Sequence, residues 1–205
     1  MNKLKLSYPV ETVIISQVFG VNSQMYSDPK YGGVNGHPGI DFMAQDGYPV
    51  YATHDGLASF QIDGGGGHGV VIVTDKEFDD GNGGQCYYKT VYWHLVDGYK
   101  YPKWKSPFQD KTGFTPVKNG ELIGYADNTG ASTGSHLHFS LKPVAKGEAW
   151  GTWYNIEQKN GYNGNIDPQP FFDGSYPQTI HNLEAQVNVL QKIVDLLKQL
   201  FKTPK

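Results

Sequence analysis

Short apolar runs closed by glycine, asparagine or aspartate recur from residue 8 to residue 141, and none of them continues with the three-and-four spacing of a helix. Val13-Ile14-Ile15 and Val18-Phe19 lead into Gly20 and a polar stretch over 21–36. Ile40–Met43 and Tyr48–Ala52 flank Asp46-Gly47, and Leu57–Ile62 runs into the four glycines Gly64–Gly67. Val70–Val73, Thr90–Leu95, Glu121–Ala126 and Ser135–Leu141 complete the series, with Asp80-Gly81-Asn82-Gly83 as a hairpin tip between the first two. Runs of this length between turn signals predict short strands, so the expected fold is mainly β: a compact antiparallel sheet or sandwich. The 26 glycines and 14 tyrosines among 205 residues fit that reading, because tight turns and half-buried strands use both.

The tail is different. Ile180, Leu183, Val187, Leu190, Val194, Leu197 and Phe201 alternate by three and four, an a/d seam that Ile193 and Leu200 widen. Thr179 suits an N-cap, and Pro204 ends the segment. The pattern predicts a C-terminal amphipathic helix over 176–205, appended to a domain over 1–175. Such a stripe serves equally as a homo-oligomer contact through residues 180–201 or as a face docked on its own domain.

Several function classes drop out on composition. The net charge of −3 gives no electrostatic case for nucleic acid, and all 17 cations are lysine, so planar two-pronged phosphate recognition by arginine is unavailable. No apolar stretch is long enough to span a bilayer as a helix, and Pro9 and Glu11 interrupt the unbroken apolar core that a secretory signal needs. Cys86 is the single cysteine, which excludes an internal disulfide. It sits at a hairpin tip with no histidine at motif distance, which argues against a thiol nucleophile. Gly64–Gly67 lacks the Lys-Ser/Thr of a phosphate loop.

The chemistry concentrates in histidines. In His37-Pro-Gly-Ile-Asp41, Pro38 and Gly39 exclude a regular helix, so the segment is a loop entering a strand, with Asp41 facing away from Ile40 and Phe42. A turn histidine and a surface aspartate would read the same way. In Ser135-His136-Leu137-His138-Phe139 the two histidines share one strand face while Leu137 and Phe139 share the other. Two adjacent imidazoles repel when both are protonated, so a shared metal or divided roles explain the pair better than packing. His94, in Tyr92-Trp93-His94-Leu95, would be structural if it stood alone; His54 reads as surface or satisfied packing. Together, His37, Asp41 and His138 could fill three positions of a tetrahedral zinc, which leaves one open for water. His94 and His136 would then remain as general base and oxyanion stabiliser.

These three motifs, in this order, resemble the lysostaphin-like zinc metalloendopeptidases, whose pattern is His-x-x-x-Asp, then Tyr-x-His-Leu, then His-x-His. The flanks resemble that family too, over Gly39–Gly56 and Val117–Phe139, and the likeness covers roughly residues 8–173. The resemblance implies one zinc per chain held by His37, Asp41 and His138, with His94 and His136 as the catalytic pair. It implies a groove over the metal, and zinc-activated water that hydrolyses peptide bonds of peptidoglycan stems or cross-bridges. The site of action would be the bacterial cell wall, for a secreted, periplasmic or phage-released protein. The alternative is a catalytically inactive wall-binding or structural module of the same fold, although all five motif positions are present. Ser135 stands where proline is common, and His68 where asparagine is frequent. The long segments 75–89 and 97–116 are expected to wall the groove, with Tyr99, Tyr101, Trp104 and Phe108 either gripping substrate or packing their own loop.

Overall fold

A computed structural model describes residues 2–149, 151–156, 159–177, 187, 190–194 and 198. Eleven strands run through these residues: β1 (Ile15–Gln17), β2 (Ile40–Met43), β3 (Pro49–Tyr51), β4 (Gly56–Ile62), β5 (His68–Thr74), β6 (Phe78–Asp79), β7 (Gln85–Leu95), β8 (Thr115–Val117), β9 (Leu122–Tyr125), β10 (His136–Lys146) and β11 (Trp153–Asn155). Before residue 176 the one α-helix among them is the single turn α1 (Ser23–Tyr26).

Nine strands form one sheet in the order β1-β2-β10-β7-β5-β4-β8, with β11 added to β10 and β6 to β7; every pairing between these strands is antiparallel. The two longest strands, β7 and β10, are neighbours at its centre. Strand alternation splits their residues between two faces. Leu137, Phe139 and Leu141 of β10 and Tyr92 of β7 are fully buried on one face, beside Val70 and Ile72 of β5. A second sheet of β3 and β9 adds Val50 and Ile123 to the core, and Phe172 packs edge-on against Phe42 with ring centroids 6.0 Å apart. Each such side chain contributes about 1.5–3 kcal/mol when fully buried, so this face fixes the register of both central strands. The opposite face of β10, which carries His136, His138, Ser140 and Lys142, lines an open cleft.

One step in that register matters for the site. His68 pairs with Leu95 and Gly69 with Trp93, which leaves His94 unmatched as a β-bulge. His94 takes up the kink in the left-handed region, at φ 64°. Simple alternation would turn His94 toward the core with Tyr92; the bulge turns it into the cleft beside Trp93 instead.

Where the structure departs from the sequence reading, backbone chemistry explains it. The apolar runs at 13–15 and 18–19 yield only the short β1, and Gly20, at φ 80°, turns the chain just after them. β8 and β11 carry no alternation long enough to notice. In the tail, residues 187, 190–194 and 198 are helical. Val187, Leu190, Ile193 and Val194 are exposed there. Ile180, Leu183, Leu197, Leu200 and Phe201 lie outside the described residues. Among the described residues no helix is long and apolar enough to cross a membrane.

Candidate metal centre and active-site cleft

His37, Asp41 and His138 come together because β2 and β10 pair with His138 directly opposite Asp41. Gly39 permits that closeness: a Cβ there would lie 2.4 Å from the Phe139 carbonyl oxygen and 2.8 Å from the His138 ring. His37 enters from the turn before β2 and is fully buried. Its Nδ1 is 3.1 Å from the Val18 carbonyl oxygen, which can only accept, so Nδ1 carries the proton and Nε2 keeps a free lone pair. That Nε2 lies 2.9 Å from His138 Nδ1 and 3.0 Å from Asp41 Oδ1, and the third edge, His138 Nδ1 to Asp41 Oδ1, is 3.0 Å.

This triangle fits a metal. Tetrahedral zinc at bond lengths near 2.0–2.1 Å sets its ligand atoms about 3.3 Å apart, so the three atoms need to open by only a few tenths of an ångström. Two imidazoles and one carboxylate are also a donor set that zinc accepts, and a buried carboxylate facing a nitrogen lone pair calls for a cation. Among the described residues this is the one group of three or more His, Cys, Asp or Glu side chains placed to hold a metal. Burial pushes the Asp41 carboxyl up, but hydrogen bonds to His138 and His37 prevail and hold it well below the usual carboxylate range. Burial pushes His138 down despite the opposing pull of Asp41.

His94 and His136 face each other across the cleft floor, ring centroids 4.6 Å apart. Their Nδ1 atoms are each 2.7 Å from a backbone carbonyl oxygen, that of Thr129 for His94 and that of Gly134 for His136. Both Nδ1 atoms are therefore donors, and both Nε2 atoms are left to accept a proton. His136 Nε2 reaches to within 3.6 Å of Asp41 Oδ1, so this pair borders the candidate metal site directly. Burial, with lesser help from His136 and His138, drives His94 down to about 4, which keeps it neutral at physiological pH. The structure thus brings all five expected residues into one site.

The cleft has a volume of about 820 Å³. Its walls are not the expected ones. Met25, Tyr26 and Tyr31 form one side, and Gln61–Asp63 and Ala131–Thr133 contribute to the rest. Of the segments 75–89 and 97–116, only Lys89 and Phe114 reach it; Tyr99, Tyr101, Trp104 and Phe108 do not line it. Phe108 is buried, and Trp104 lies against Gly47, where a Cβ would meet its ring at 2.7 Å, so these two pack their own loop onto the domain. His68 opens β5, buried edge-on against Phe60 at 5.7 Å, and His54 is a buried, hydrogen-bonded packing residue. Ser135 Oγ donates to the Asp46 carboxylate and ties the loop before β10 to the segment after β2.

Tyr26 is a site residue that no motif flags. Its ring stacks on His37 at 5.1 Å, and burial, then the Asp41 charge, pushes its hydroxyl up to about 12. Thr129 is another: its hydroxyl donates to the Leu95 carbonyl at 2.7 Å and accepts from the His68 N–H at 3.1 Å, which anchors the backbone that orients His94.

Residues 35–155, which hold all five of these side chains, match the model of peptidase family M23. The chain belongs to that family. This M23 chain is 35% identical over 106 residues to the DD-carboxypeptidase/endopeptidase Mpg of Neisseria meningitidis, a match that covers 52% of this chain and 20% of that protein. It is 35% identical over 111 residues to the glycyl-glycine endopeptidase ALE-1 of Staphylococcus capitis, covering 52% of this chain and 25% of that protein. A solved zinc-containing peptidase from Vibrio cholerae superposes with a TM-score of 0.49 at 27% identity, over 81% of this chain and 39% of that one. The matched stretch spans about a quarter of the length of these curated relatives, or less.

Proposed function

We propose that this M23 chain is a zinc-dependent endopeptidase that hydrolyses peptide bonds of bacterial peptidoglycan and acts at the cell wall. In this reading residues 1–175 are the catalytic domain and 176–205 an appended helix. His37, Asp41 and His138 hold one zinc per chain, and His94 and His136 are the catalytic pair. The observation that carries the reading is the arrangement of that pair. Two imidazoles, each fixed by a backbone carbonyl at Nδ1, turn their Nε2 atoms toward a triad of convergent metal ligands. Relatives whose names include peptidoglycan DD-endopeptidase and glycyl-glycine endopeptidase support the choice of substrate.

Zinc in the triad would supply Lewis-acid polarisation and a water acidic enough to ionise near neutral pH. The protein's own groups do the rest. The Nε2 of one histidine takes a proton from the attacking water. The other, when it carries a second proton at Nε2, donates that N–H to the oxyanion that develops on the scissile carbonyl, and the histidine protonated by the water returns its proton to the leaving amine. The cleft, walled by Tyr26 and Tyr31, holds the peptide extended over β10 and β7.

The test pairs metal content with turnover. His138→Ala and Asp41→Ala should lose zinc and the release of amino groups from purified sacculi together. His94→Ala and His136→Ala should keep zinc and lose at least about a hundredfold in rate, the scale of a single acid–base group. Full zinc in His138→Ala would overturn the ligand assignment. An unimpaired His94→Ala, His136→Ala double variant would overturn the catalytic one. A zinc-loaded wild type that releases nothing from any wall type would favour the binding-module reading.

A further inference from the structure

The cleft continues beyond the five site residues, and at its far end β7 and β10 set two lysines against each other. Lys142 is the direct cross-strand neighbour of Lys89. Both side chains are on the cleft face: Lys142 is four residues beyond His138 on β10, and Lys89 follows Trp93 and Val91 back along β7. Both are half-buried. Like charges placed opposite each other on adjacent strands destabilise a sheet, and partial burial adds a desolvation cost.

Nothing in the described structure relieves this. Among the described residues neither lysine has a carboxylate within 4.0 Å, in contrast to Lys105, which pairs with Asp110, and Lys118, which pairs with Asp55. Lys142 Nζ donates to one neutral acceptor, the Asn163 carbonyl, at 3.3 Å. Two carboxylates line the cleft, but Asp41 belongs to the metal triad, and Asp63 accepts from the backbone N–H groups of Gly65 and Gly67 at 2.8 and 2.7 Å. Burial, then the neighbouring Lys89 charge, lowers Lys142 to about 8, and burial lowers Lys89. Lys142, near 8, is still mostly protonated at pH 7, and among the described residues no carboxylate pairs with either lysine.

We infer that Lys89 and Lys142 form an anion-binding subsite of the cleft that selects peptides bearing a free carboxylate, so that the substrate is an acidic stem peptide and not an uncharged oligoglycine bridge. This rests on the peptidase reading above and sharpens it. Four residues of an antiparallel strand span about 13 Å, which sets the carboxylate roughly that far along the cleft from the metal triad. An extended peptide covers such a distance in about four residues. Trp153 and Phe114, also in the cleft lining near Gly151, supply apolar surface beside the cations. An oligoglycine bridge carries no side-chain charge and would leave both lysines uncompensated.

The experiment separates binding from cleavage. Calorimetry on the full chain uses an unbranched stem peptide with free carboxylates and the same peptide fully amidated. It is run on the zinc-loaded protein and again after chelation, so that a carboxylate held by the metal is told apart. The wild type should bind the acidic peptide at least tenfold more tightly in both states. Lys89→Met/Lys142→Met should lose that preference and bind the amidated peptide as the wild type does. Its melting temperature should be equal or higher, since a repulsive pair has been removed. In turnover of the corresponding cross-linked peptides, the double variant should show a raised KM for the acidic one with kcat within about twofold. An acidic preference that survives in the double variant, or that disappears on chelation alone, overturns the inference. Lysine-dependent binding without any cleavage upholds the subsite and overturns the endopeptidase reading.

Discussion

Lowering the pH from 7 to 5 should cost the fold about 2 kcal/mol through His54 alone. This side chain is buried between two partners of fixed character. Its Nδ1 is 2.8 Å from the Asp55 carbonyl oxygen and donates to it, and its Nε2 is 2.9 Å from Thr90 Oγ1, whose hydroxyl can donate. The neutral ring is satisfied on both sides, whereas a protonated one would bring a charge into a site that cannot hydrate it. Burial accordingly lowers its pKa from 6.5 to about 4, against weaker upward pulls from the Asp55 carbonyl and charge. The folded value is below the unfolded one, so as the pH falls the unfolded chain takes up the proton first. The contribution is therefore complete above about 6.5 and is lost as the pH falls toward 4. At pH 5 about one and a half pKa units of the gap have opened, and at 1.36 kcal/mol per unit that is about 2 kcal/mol. Urea unfolding of wild type and His54→Gln at the two pH values, with zinc content matched, isolates the effect. Every other titration is common to both proteins, so the wild type should lose about 2 kcal/mol more than the variant. Equal losses, within about 0.5 kcal/mol, would refute the argument that this ring is held neutral by burial.

Two further predictions concern the support of the site. Gly39→Ala places a Cβ 2.4 Å from the Phe139 carbonyl oxygen, a backbone atom that cannot step aside, so β2 must move off β10. Thermal unfolding should show a loss of about 1–3 kcal/mol and zinc titration a weaker site, while Gly134→Ala, with nothing within 4 Å of the added carbon, should change neither. Thr129→Val keeps the shape but removes the hydroxyl that bridges His68 N–H and the Leu95 carbonyl. It should cost about 1–3 kcal/mol and lower kcat with zinc content unchanged; an unaltered kcat would show that His94 does not need this anchor.

Much of the site was legible because strand geometry is simple. His136 and His138 had to share a face once Leu137 and Phe139 were assigned to the core, and the pairing of β2 with β10 then set Asp41 opposite His138. His94 does line the cleft, but strand alternation alone would not put it there. Its spacing is right only because a bulge reverses its side, and a bulge that uses histidine where glycine is the usual left-handed residue leaves no compositional sign. Tyr26 is invisible for a related reason: it comes from a short turn whose position depends on tertiary contacts, not on a periodic pattern. Loop length is a poor guide to position: of the long segments 75–89 and 97–116, only Lys89 and Phe114 line the cleft. Trp104 and Phe108 show that a long aromatic loop can spend its rings on its own anchorage. Lys142 lay in plain sight on β10, four residues past His138, but its meaning depends on Lys89 of β7 being opposite, which is a register and not a motif.

Both imidazoles of the proposed catalytic pair lean on main-chain oxygens, those of Thr129 and Gly134, and these lie within one connection between β9 and β10. A carbonyl oxygen is the same atom in every residue type. Point substitutions along that connection therefore leave the two tautomers intact so long as the backbone path is preserved. Insertion or deletion of a single residue would shift both oxygens at once. The device that aims the two imidazoles is thus set by the path and length of the loop: it survives substitutions that leave the path intact and fails when a residue is gained or lost.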